Sequence, residues 1–428
     1  MLNVLAKCND LLQKKNASAL DVATLAVTLL ENDSLFNAGH GAVFTQSGTH
    51  ELEASVMVST GYRKQGVGVA KVSHVRHPIM LAKEMLIRGE EADGHGGGAE
   101  GHVFLEGDTV ERSGSEWGVQ MCKPSHHWTK KRWDQHRKGL GLSTDWETYC
   151  RAKKDIDRQR ECDDHASDED DAVSTTYNIQ EDKGEDPSWD GTEYIPQGTV
   201  GAVVLDSKGV LCVATSTGGV TNKLPGRLGD TPTIGAGFYA EQWRSENPFD
   251  RPNGLAYQQQ THRYSAISAS RPPVTQFLTS NLSNMIADCL PNLSAYLPLL
   301  QNEKDNDSHS FPIHTSSRPH AVALSGTGNG DSFLKLSGAR MAAAMTRFSF
   351  PPLSLQWSVT RMAGPDGMLQ QSADNRWGKT GEGEGGIIGI EYALGGGKVV
   401  ADFNCGGMFR AWIDGEGKAR MMVFREEY

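Results

Sequence analysis

The chain places a threonine, Thr199, directly after Gly198 and at the start of an apolar, β-branched run that continues to Leu205. A threonine hydroxyl is a weak nucleophile, but an N-terminal α-amine, with a reference pKa of about 7.7–8.0, can serve as its base. That amine would exist only after cleavage of the Gly198–Thr199 bond, and glycine tolerates the strained backbone that such a reaction requires. The pattern is that of a self-cleaving threonine nucleophile, or of an ordinary threonine that enters a strand.

The residues that follow predict how Thr199 is held. Two β-branched runs, 200–205 and 210–215, flank the turn sequence Asp-Ser-Lys-Gly at 206–209 and predict a β-hairpin. A four-residue turn puts position 199 opposite 216, so that Thr217 lies within one residue of Thr199 across the ladder. A second hydroxyl there could tune the nucleophile, although a threonine-rich strand end is the simpler interpretation.

Two further groups of residues could bind a substrate. Arg227 offers a planar fork for a carboxylate and Asp230 an acceptor for an ammonium, which together fit an α-amino acid head group. A structural salt bridge between them is the alternative. The Thr-Gly-Asn-Gly-Asp turn at 327–331 could supply backbone N–H groups and the Thr327 hydroxyl as an oxyanion hole, or be a turn and nothing more.

Composition excludes several classes of protein. The 428 residues carry a net charge of −11, and the pI near 5.7 argues against nucleic acid as a partner, because phosphate binding depends on clustered Lys and Arg. No window approaches 18 uncharged apolar residues, so no membrane span is expected. The start of the chain lacks the pattern of a secretory signal. The seven cysteines form no CxxC pair, and a reducing, cytoplasmic location is the expectation.

The pattern along the chain predicts two ordered halves. Residues 18–30 predict a helix with Ser18 as its N-cap, a second helix runs from Pro78 to about 88, and a hairpin is expected over 386–404. Between the halves, 161–186 hold −10 of the net charge, which is typical of a disordered linker. The predicted division has five parts. They are an N-terminal half (1–123), a charged linker (124–198), the start of the second half (199–240), a polar insertion with a helix at 275–300 (241–320), and the remainder (321–428).

Four segments of the chain resemble the plant-type L-asparaginase/isoaspartyl peptidase family of N-terminal-nucleophile (Ntn) hydrolases. They are FNAGHGAVFTQSGTHELEASVM (36–57), GTVGAVVLDSKGVLCVATSTGGVTNKLPGRLGDTPTIGAGFYA (198–240), SGTGNGD (325–331) and FNCGGMFRAW (403–412). The resemblance implies an α+β fold, a four-layer αββα sandwich, with cleavage before the threonine and a homodimer of cleaved protomers. The family opens with a strand and a His-Gly-Gly-Ala-Gly motif, and this sequence begins in the helix that follows, so a missing first strand is expected.

The family's functional residues carry over position by position. Thr199 matches the nucleophile and Thr217 the assisting hydroxyl, while Arg227 and Asp230 match the ligands of the substrate α-carboxylate and α-ammonium. The remaining matches are Thr327 and Gly328 as the third threonine and its glycine, Gly330 as a binding glycine, and Asn37 as the asparagine that helps to hold the oxyanion. A structural Na⁺, bound by backbone carbonyls, would fall on Leu30, Glu31, Asp33, Phe36, Ala38 and His40, and no cofactor is expected for catalysis.

The reaction implied by the resemblance is hydrolysis of the side-chain amide of L-asparagine and of β-aspartyl dipeptides through an ester on Thr199. A glycosylasparaginase is a near alternative, because the Thr-Gly-Asn-Gly-Asp turn resembles that branch. Threonine aspartase shares Thr199 but has no evident need of the NKLPGRLGD loop. An uncleaved, inactive relative that acts as an interaction protein is the alternative from a different class.

Overall fold

The computed structural model describes residues 1–91, 99–163, 198–244 and 319–425, which form a mixed α+β structure. The helices are α1 (Leu2–Leu12), α2 (Ala19–Glu31), α3 (Pro78–Glu90), α4 (Gly107–Glu116), α5 (Lys130–Gly139), α6 (Trp146–Asp163), α7 (Gly330–Leu336), α8 (Gly338–Phe348), α9 (Leu355–Ala363) and α10 (Met368–Ala373). The strands are β1 (Leu52–Val58), β2 (Gln65–Val72), β3 (Phe104–Glu106), β4 (Val200–Leu205), β5 (Leu211–Thr217), β6 (Phe238–Arg244), β7 (Pro319–Gly328), β8 (Gly385–Ala393), β9 (Gly396–Phe403), β10 (Arg410–Ile413) and β11 (Ala419–Met422).

The first sheet has the order β3-β2-β1-β5-β4 and contains the predicted hairpin. The predicted register of this hairpin is wrong by one residue: Val200 pairs with Ser216 and Leu205 with Leu211. Val210 belongs to the loop, where its carbonyl accepts the Asp206 N–H at 3.0 Å. The longer loop shifts every pair by one, so continuation of the ladder brings Thr217, and not 216, opposite Thr199.

The second sheet has the order β6-β7-β8-β9 and confirms the hairpin predicted near the end of the chain. Its turn is tighter than the pattern indicates, because Ala393 already pairs with Gly396. Leu394 and Gly395 are the two turn residues, with φ of 54° and 82°. Two successive positive φ angles match the right-handed twist of the strands, which is why two-residue hairpin loops of this kind favour glycine.

Helices and both sheets share apolar clusters that show how the elements pack. Met57 and Val213 of the first sheet lie in one buried cluster with Leu324 of β7, together with residues of α8 and α9. Residues of α2 and α3 form a second cluster with the first sheet. The helix predicted from Ser18 is confirmed as α2, because the Ser18 hydroxyl accepts the Asp21 N–H at 3.1 Å. The helix predicted from Pro78 is confirmed as α3.

The predicted disordered linker is wrong for its first part, since residues 124–163 contain a 3₁₀ turn (Pro124–His127), α5 and α6. Trp128, Trp133 and Tyr149 pack around Phe44 in a buried cluster. The polar composition of this segment concealed the few aromatic side chains that anchor it, each of which buries a large apolar area. The rest of the predicted linker, 164–197, lies outside the described residues.

The predicted insertion at 241–320 overlaps the strands that border it. Residues 241–244 belong to β6 and 319–320 to β7, while 245–318, with the helix predicted at 275–300, lie outside the described residues. Among the helices that the structure describes, none is long and apolar enough to cross a membrane.

Candidate active site

Thr199 lies at the edge of the first sheet, one residue before β4. Its hydroxyl is 3.0 Å from the hydroxyl of Thr231, so one of the two can donate to the other. Thr231 is buried, and its carbonyl accepts the Ser55 hydroxyl at 2.7 Å. The nucleophile candidate is therefore held by a second threonine that is itself tied to strand β1.

Gly198, on the other side of the proposed scissile bond, faces the predicted oxyanion turn. A methyl group on Gly198 would collide with the hydroxyl oxygen of Thr327 and come within 3.4 Å of the Gly328 nitrogen. Gly328 has a φ of +134°, which an L side chain rarely adopts, and a side chain there would collide with the carbonyl of Glu384. The structure thus brings Thr327 and Gly328 to the Gly198–Thr199 bond.

Thr217 and Asn37 meet at the end of β5. The Thr217 hydroxyl accepts the Gly219 N–H at 3.0 Å, and Asn37 donates from its side-chain amide to the Gly219 carbonyl at 2.8 Å. The Asn37 side-chain oxygen accepts the Val43 N–H at 3.0 Å. Asn37 therefore ties the turn that follows α2 to the loop directly after Thr217.

Arg227 and Asp230 lie together with Gly330, at the N-terminus of α7. A methyl group on Gly330 would collide with Asp230 Oδ1 and lie 3.2 Å from Arg227 Nη2. Arg227 Nη2 donates to Asp331 Oδ1 at 3.1 Å, whereas Asp230 is buried. The alternative interpretation, a structural Arg227–Asp230 salt bridge, is not what the described residues show, and Arg227 pairs instead with the more exposed Asp331.

Asp230 is buried without a full set of partners. Its Oδ2 has no hydrogen-bond partner in the described part of the chain. Burial, together with the nearby Glu53 carboxylate, raises the pKa of Asp230 to about 7. An ammonium group placed there would supply both the missing donor and the missing positive charge.

The raised pKa of Asp230 makes stability depend on pH. The folded protein holds this proton more tightly than the unfolded chain, so the free energy of unfolding falls as the pH rises from about 4 towards 7. Asp230→Asn is therefore expected to raise the thermal midpoint more at pH 8 than at pH 5, by about 2–4 °C for each kcal/mol of desolvation relieved. Thermal melts at the two pH values measure this. Asp10→Asn, at an exposed position, is the control. An equal gain in the thermal midpoint of Asp230→Asn at both pH values would contradict the expectation.

Two of the six residues of the predicted Na⁺ loop, Leu30 and Glu31, end helix α2, and the other four lie on the turn that follows it. This turn is closed by the His40 N–H, which donates to the Glu31 carbonyl at 2.8 Å. A methyl group on Gly41 would lie 2.8 Å from the Phe36 carbonyl oxygen, and one on Gly39 would lie 2.6 Å from that of Glu31. Carbonyl oxygens thus crowd two glycines that have positive φ. Carbonyl oxygens are the donors that a hard cation prefers, so these residues fit the predicted Na⁺.

Three residues of the site were not predicted from the sequence: Thr231, Glu53 and Lys223. Thr231 follows Asp230 directly, and this adjacency to a predicted ligand was the one available signal. Glu53 stands in an apolar strand pattern, and a lone carboxylate in such a pattern is an unusual feature that could have indicated a functional residue. Lys223 lies in the loop that also contains Arg227, but nothing in its spacing indicates that its side chain is buried.

Comparison with known proteins identifies the family of this chain. Residues 2–244 match the model of the family described as Asparaginase. This match covers more than half of the chain, including Thr199, Thr217, Arg227 and Asp230. The protein belongs to the asparaginase family.

Curated relatives in this family include bacterial and animal proteins. The chain is 36% identical over 223 residues to the isoaspartyl peptidase of Salmonella typhimurium, covering 52% of this chain and 55% of the relative. It is 36% identical over 239 residues to the isoaspartyl peptidase of Escherichia coli (strain K12), and the match covers 56% of this chain and 59% of the relative. It is 31% identical over 228 residues to the isoaspartyl peptidase/L-asparaginase of Rattus norvegicus, with 53% and 52% covered. The chain thus spans between half and two thirds of the length of these relatives.

Proposed function

We propose that this protein is an Ntn amidohydrolase that cleaves itself before Thr199 and then hydrolyses L-asparagine and β-aspartyl dipeptides. The names of the relatives, isoaspartyl peptidase and L-asparaginase, support this substrate class. The observation that carries the proposal is the convergence on one peptide bond: Thr231 contacts the Thr199 hydroxyl, and Thr327 and Gly328 face Gly198.

Maturation and turnover share the Thr199 hydroxyl as nucleophile. The Thr199 hydroxyl attacks the Gly198 carbonyl, and its proton moves to the Thr199 nitrogen as the C–N bond breaks. The Thr231 hydroxyl, 3.0 Å from that of Thr199, would relay this proton. The Thr327 hydroxyl and the Gly328 N–H donate to the Gly198 carbonyl oxygen, which becomes negative. Water then hydrolyses the resulting ester, which leaves a Gly198 carboxylate, a free Thr199 hydroxyl and a free α-amine.

In turnover the new α-amine of Thr199 takes the hydroxyl proton as the oxygen attacks the side-chain amide of the substrate. The proton passes to the leaving nitrogen, and ammonia or an amino acid departs from the β-aspartyl ester. Water, deprotonated by the same amine, then releases aspartate. Arg227 and Asp230 bind the α-carboxylate and the α-ammonium, and so hold the amide carbonyl within reach of Thr199.

We further propose that the two sheets and their flanking helices form the αββα sandwich of Ntn hydrolases, which the apolar clusters shared by the sheets support. A Na⁺ held by the carbonyls of the loop over residues 30–40 would be structural, bracing the turn that contains Asn37. The homodimer of cleaved protomers also stays a proposal, and light scattering of the cleaved protein tests it.

Denaturing gel electrophoresis and N-terminal sequencing of the purified wild type test the proposed function. Cleavage must yield fragments of 198 and 230 residues, the second beginning with Thr199. Ammonia release from L-asparagine must then appear with the fragments. A chain that stays whole after prolonged incubation would overturn the proposal in favour of an uncleaved interaction protein. Preference for glycan-linked asparagine over L-asparagine would indicate a glycosylasparaginase.

A further inference from the structure

A buried ion pair, Glu53 with Lys223, lies against the loop that holds Arg227 and Asp230. Both side chains are about 1% exposed, and Glu53 Oε1 is 3.4 Å from Lys223 Nζ. Desolvation of two charges offsets much of their mutual attraction, so a buried pair of this kind is a weak source of stability. Its position relative to the site offers a better explanation of its presence.

Glu53 connects the first sheet to the two head-group ligands. It stands in β1 opposite Thr217 of β5, and its Oε1 accepts the Gly229 N–H at 3.0 Å. Gly229 lies between Arg227 and Asp230 in sequence, and a methyl group on it would come within 3.0 Å of Arg227 Nη1 and of Glu53 Oε2. The carboxylate therefore fixes the backbone that sets the separation of the two ligands.

Lys223 extends the same connection towards the nucleophile. Its Nζ donates to the Glu51 carbonyl at 2.7 Å, and a methyl group on Gly219 would lie 2.9 Å from that nitrogen. The Lys223 carbonyl accepts the Gln46 N–H at 2.9 Å, which holds the loop on the first half of the chain. Lys223 thus passes along the segment that follows Thr217 and partly offsets the charge of Glu53 from that side.

The charges around Asp230 come from three elements. Glu53 projects from β1, Arg227 lies in the same loop as Asp230, and Asp331 lies at the start of α7. Lys223 pairs with Glu53, and Glu51 lies near Lys223. Glu53 Oε2, like Asp230 Oδ2, is buried and has no hydrogen-bond partner among the described residues. Two carboxylates with unused oxygens make a negative potential that suits a cationic group of a ligand.

We propose that Glu53, with Lys223 as its counter-ion, is a positioning residue that sets the spacing of Arg227 and Asp230 and selects substrates with a free α-ammonium. The identity of the substrate in this proposal rests on the proposed function. Glu53 acts through Gly229 and through its charge beside Asp230, and takes no part in cleavage before Thr199.

Glu53→Gln tests the proposal, because the amide keeps an acceptor for Gly229 N–H and removes only the charge. At pH 8, where Asp230 is ionised with or without the Glu53 charge, the KM for L-asparagine is expected to rise about 10-fold with kcat nearly unchanged. The preference for L-asparagine over succinamic acid, which lacks the ammonium, is expected to fall by a similar factor. Self-cleavage is expected to proceed as in the wild type.

The pH profile separates this role from a merely structural one. Without the Glu53 charge, Asp230 loses its proton more easily, so the ionisation of Asp230 that contributes to the acid limb of kcat/KM is expected to move to lower pH. The acid limb of kcat, which reports the Thr199 amine in the substrate complex, is expected to stay in place. Lys223 is left unpaired in E53Q, and this could destabilise the single variant. E53Q/K223M, which removes both charges, is therefore the second variant. It is expected to show the same change in KM.

The exposed Glu116→Gln is the matched control. The proposal is overturned if E53Q and E53Q/K223M retain the KM, the substrate preference and the pH profile of E116Q. Calorimetric binding of L-aspartate and succinate provides a readout that does not need turnover: the Kd of L-aspartate is expected to rise about 10-fold in E53Q and that of succinate to stay unchanged. Loss of cleavage and of turnover in the wild type itself would instead count against the proposed function, and the binding data would still decide the role of Glu53.

Discussion

Thr199→Ala is expected to remain a single chain of 428 residues and to lose at least about 10⁴-fold in kcat. Removal of the hydroxyl eliminates the attacking atom in both maturation and turnover, and without cleavage the α-amine that acts as base never forms. Gel electrophoresis reports the first effect and ammonia release from L-asparagine the second.

Thr199→Ser separates the hydroxyl from the rest of the side chain. It keeps the nucleophilic oxygen, so cleavage and some activity are expected to survive. Thr60→Ala, at an exposed position between β1 and β2, is the control and must cleave normally. Fragments of 198 and 230 residues from Thr199→Ala would show that another group breaks the bond, and Thr199 would lose its proposed role.

Arg227→Met is expected to raise the KM for L-asparagine about 100-fold while self-cleavage continues. Methionine keeps much of the apolar length of the side chain but removes the charged fork that would bind the α-carboxylate. Among the described residues Arg227 forms an ion pair with Asp331, which is largely exposed on the aspartate side, so its loss costs little stability. Steady-state kinetics over a wide range of L-asparagine concentration measure the effect.

Arg361→Met, an exposed residue on α9, is the matched control for the loss of a positive charge. If Arg227→Met had the KM of this control, the α-carboxylate would bind elsewhere. If kcat fell and KM stayed constant, Arg227 would act in the transition state and not in substrate binding.

Local patterns predicted the elements that carry the site. The hairpin before and after 206–209, the capped helix α2 and the terminal hairpin all follow from turn residues and period-two apolar runs, which act over a few residues. The one-residue error in register came from the hairpin loop, where Asp206 N–H bonds to Val210 and not to residue 209. Turn patterns indicate that a loop exists more reliably than they indicate its length.

The misread segment 124–163 shows the limit of composition. Its charges predict a solvated linker, and the structure instead seats Trp128 and Trp133 against Phe44, which lies more than 80 residues earlier. His136 from the same segment contacts Asn222 at 2.6 Å, in the loop that leads to Lys223. A few well-placed aromatic side chains outweigh many exposed charges, since exposed charges add little to stability.

By itself, the sequence determined which peptide bond stands before a strand-initial threonine and which residue types surround it, because hairpins, caps and glycine turns are encoded locally. Only the tertiary structure decided that Thr231 contacts Thr199, that Gly198 faces Thr327 and that Glu53 lies buried beside Asp230. These contacts join residues that are 32 to 177 positions apart. They depend on how the sheets and loops pack, and no local pattern encodes that packing.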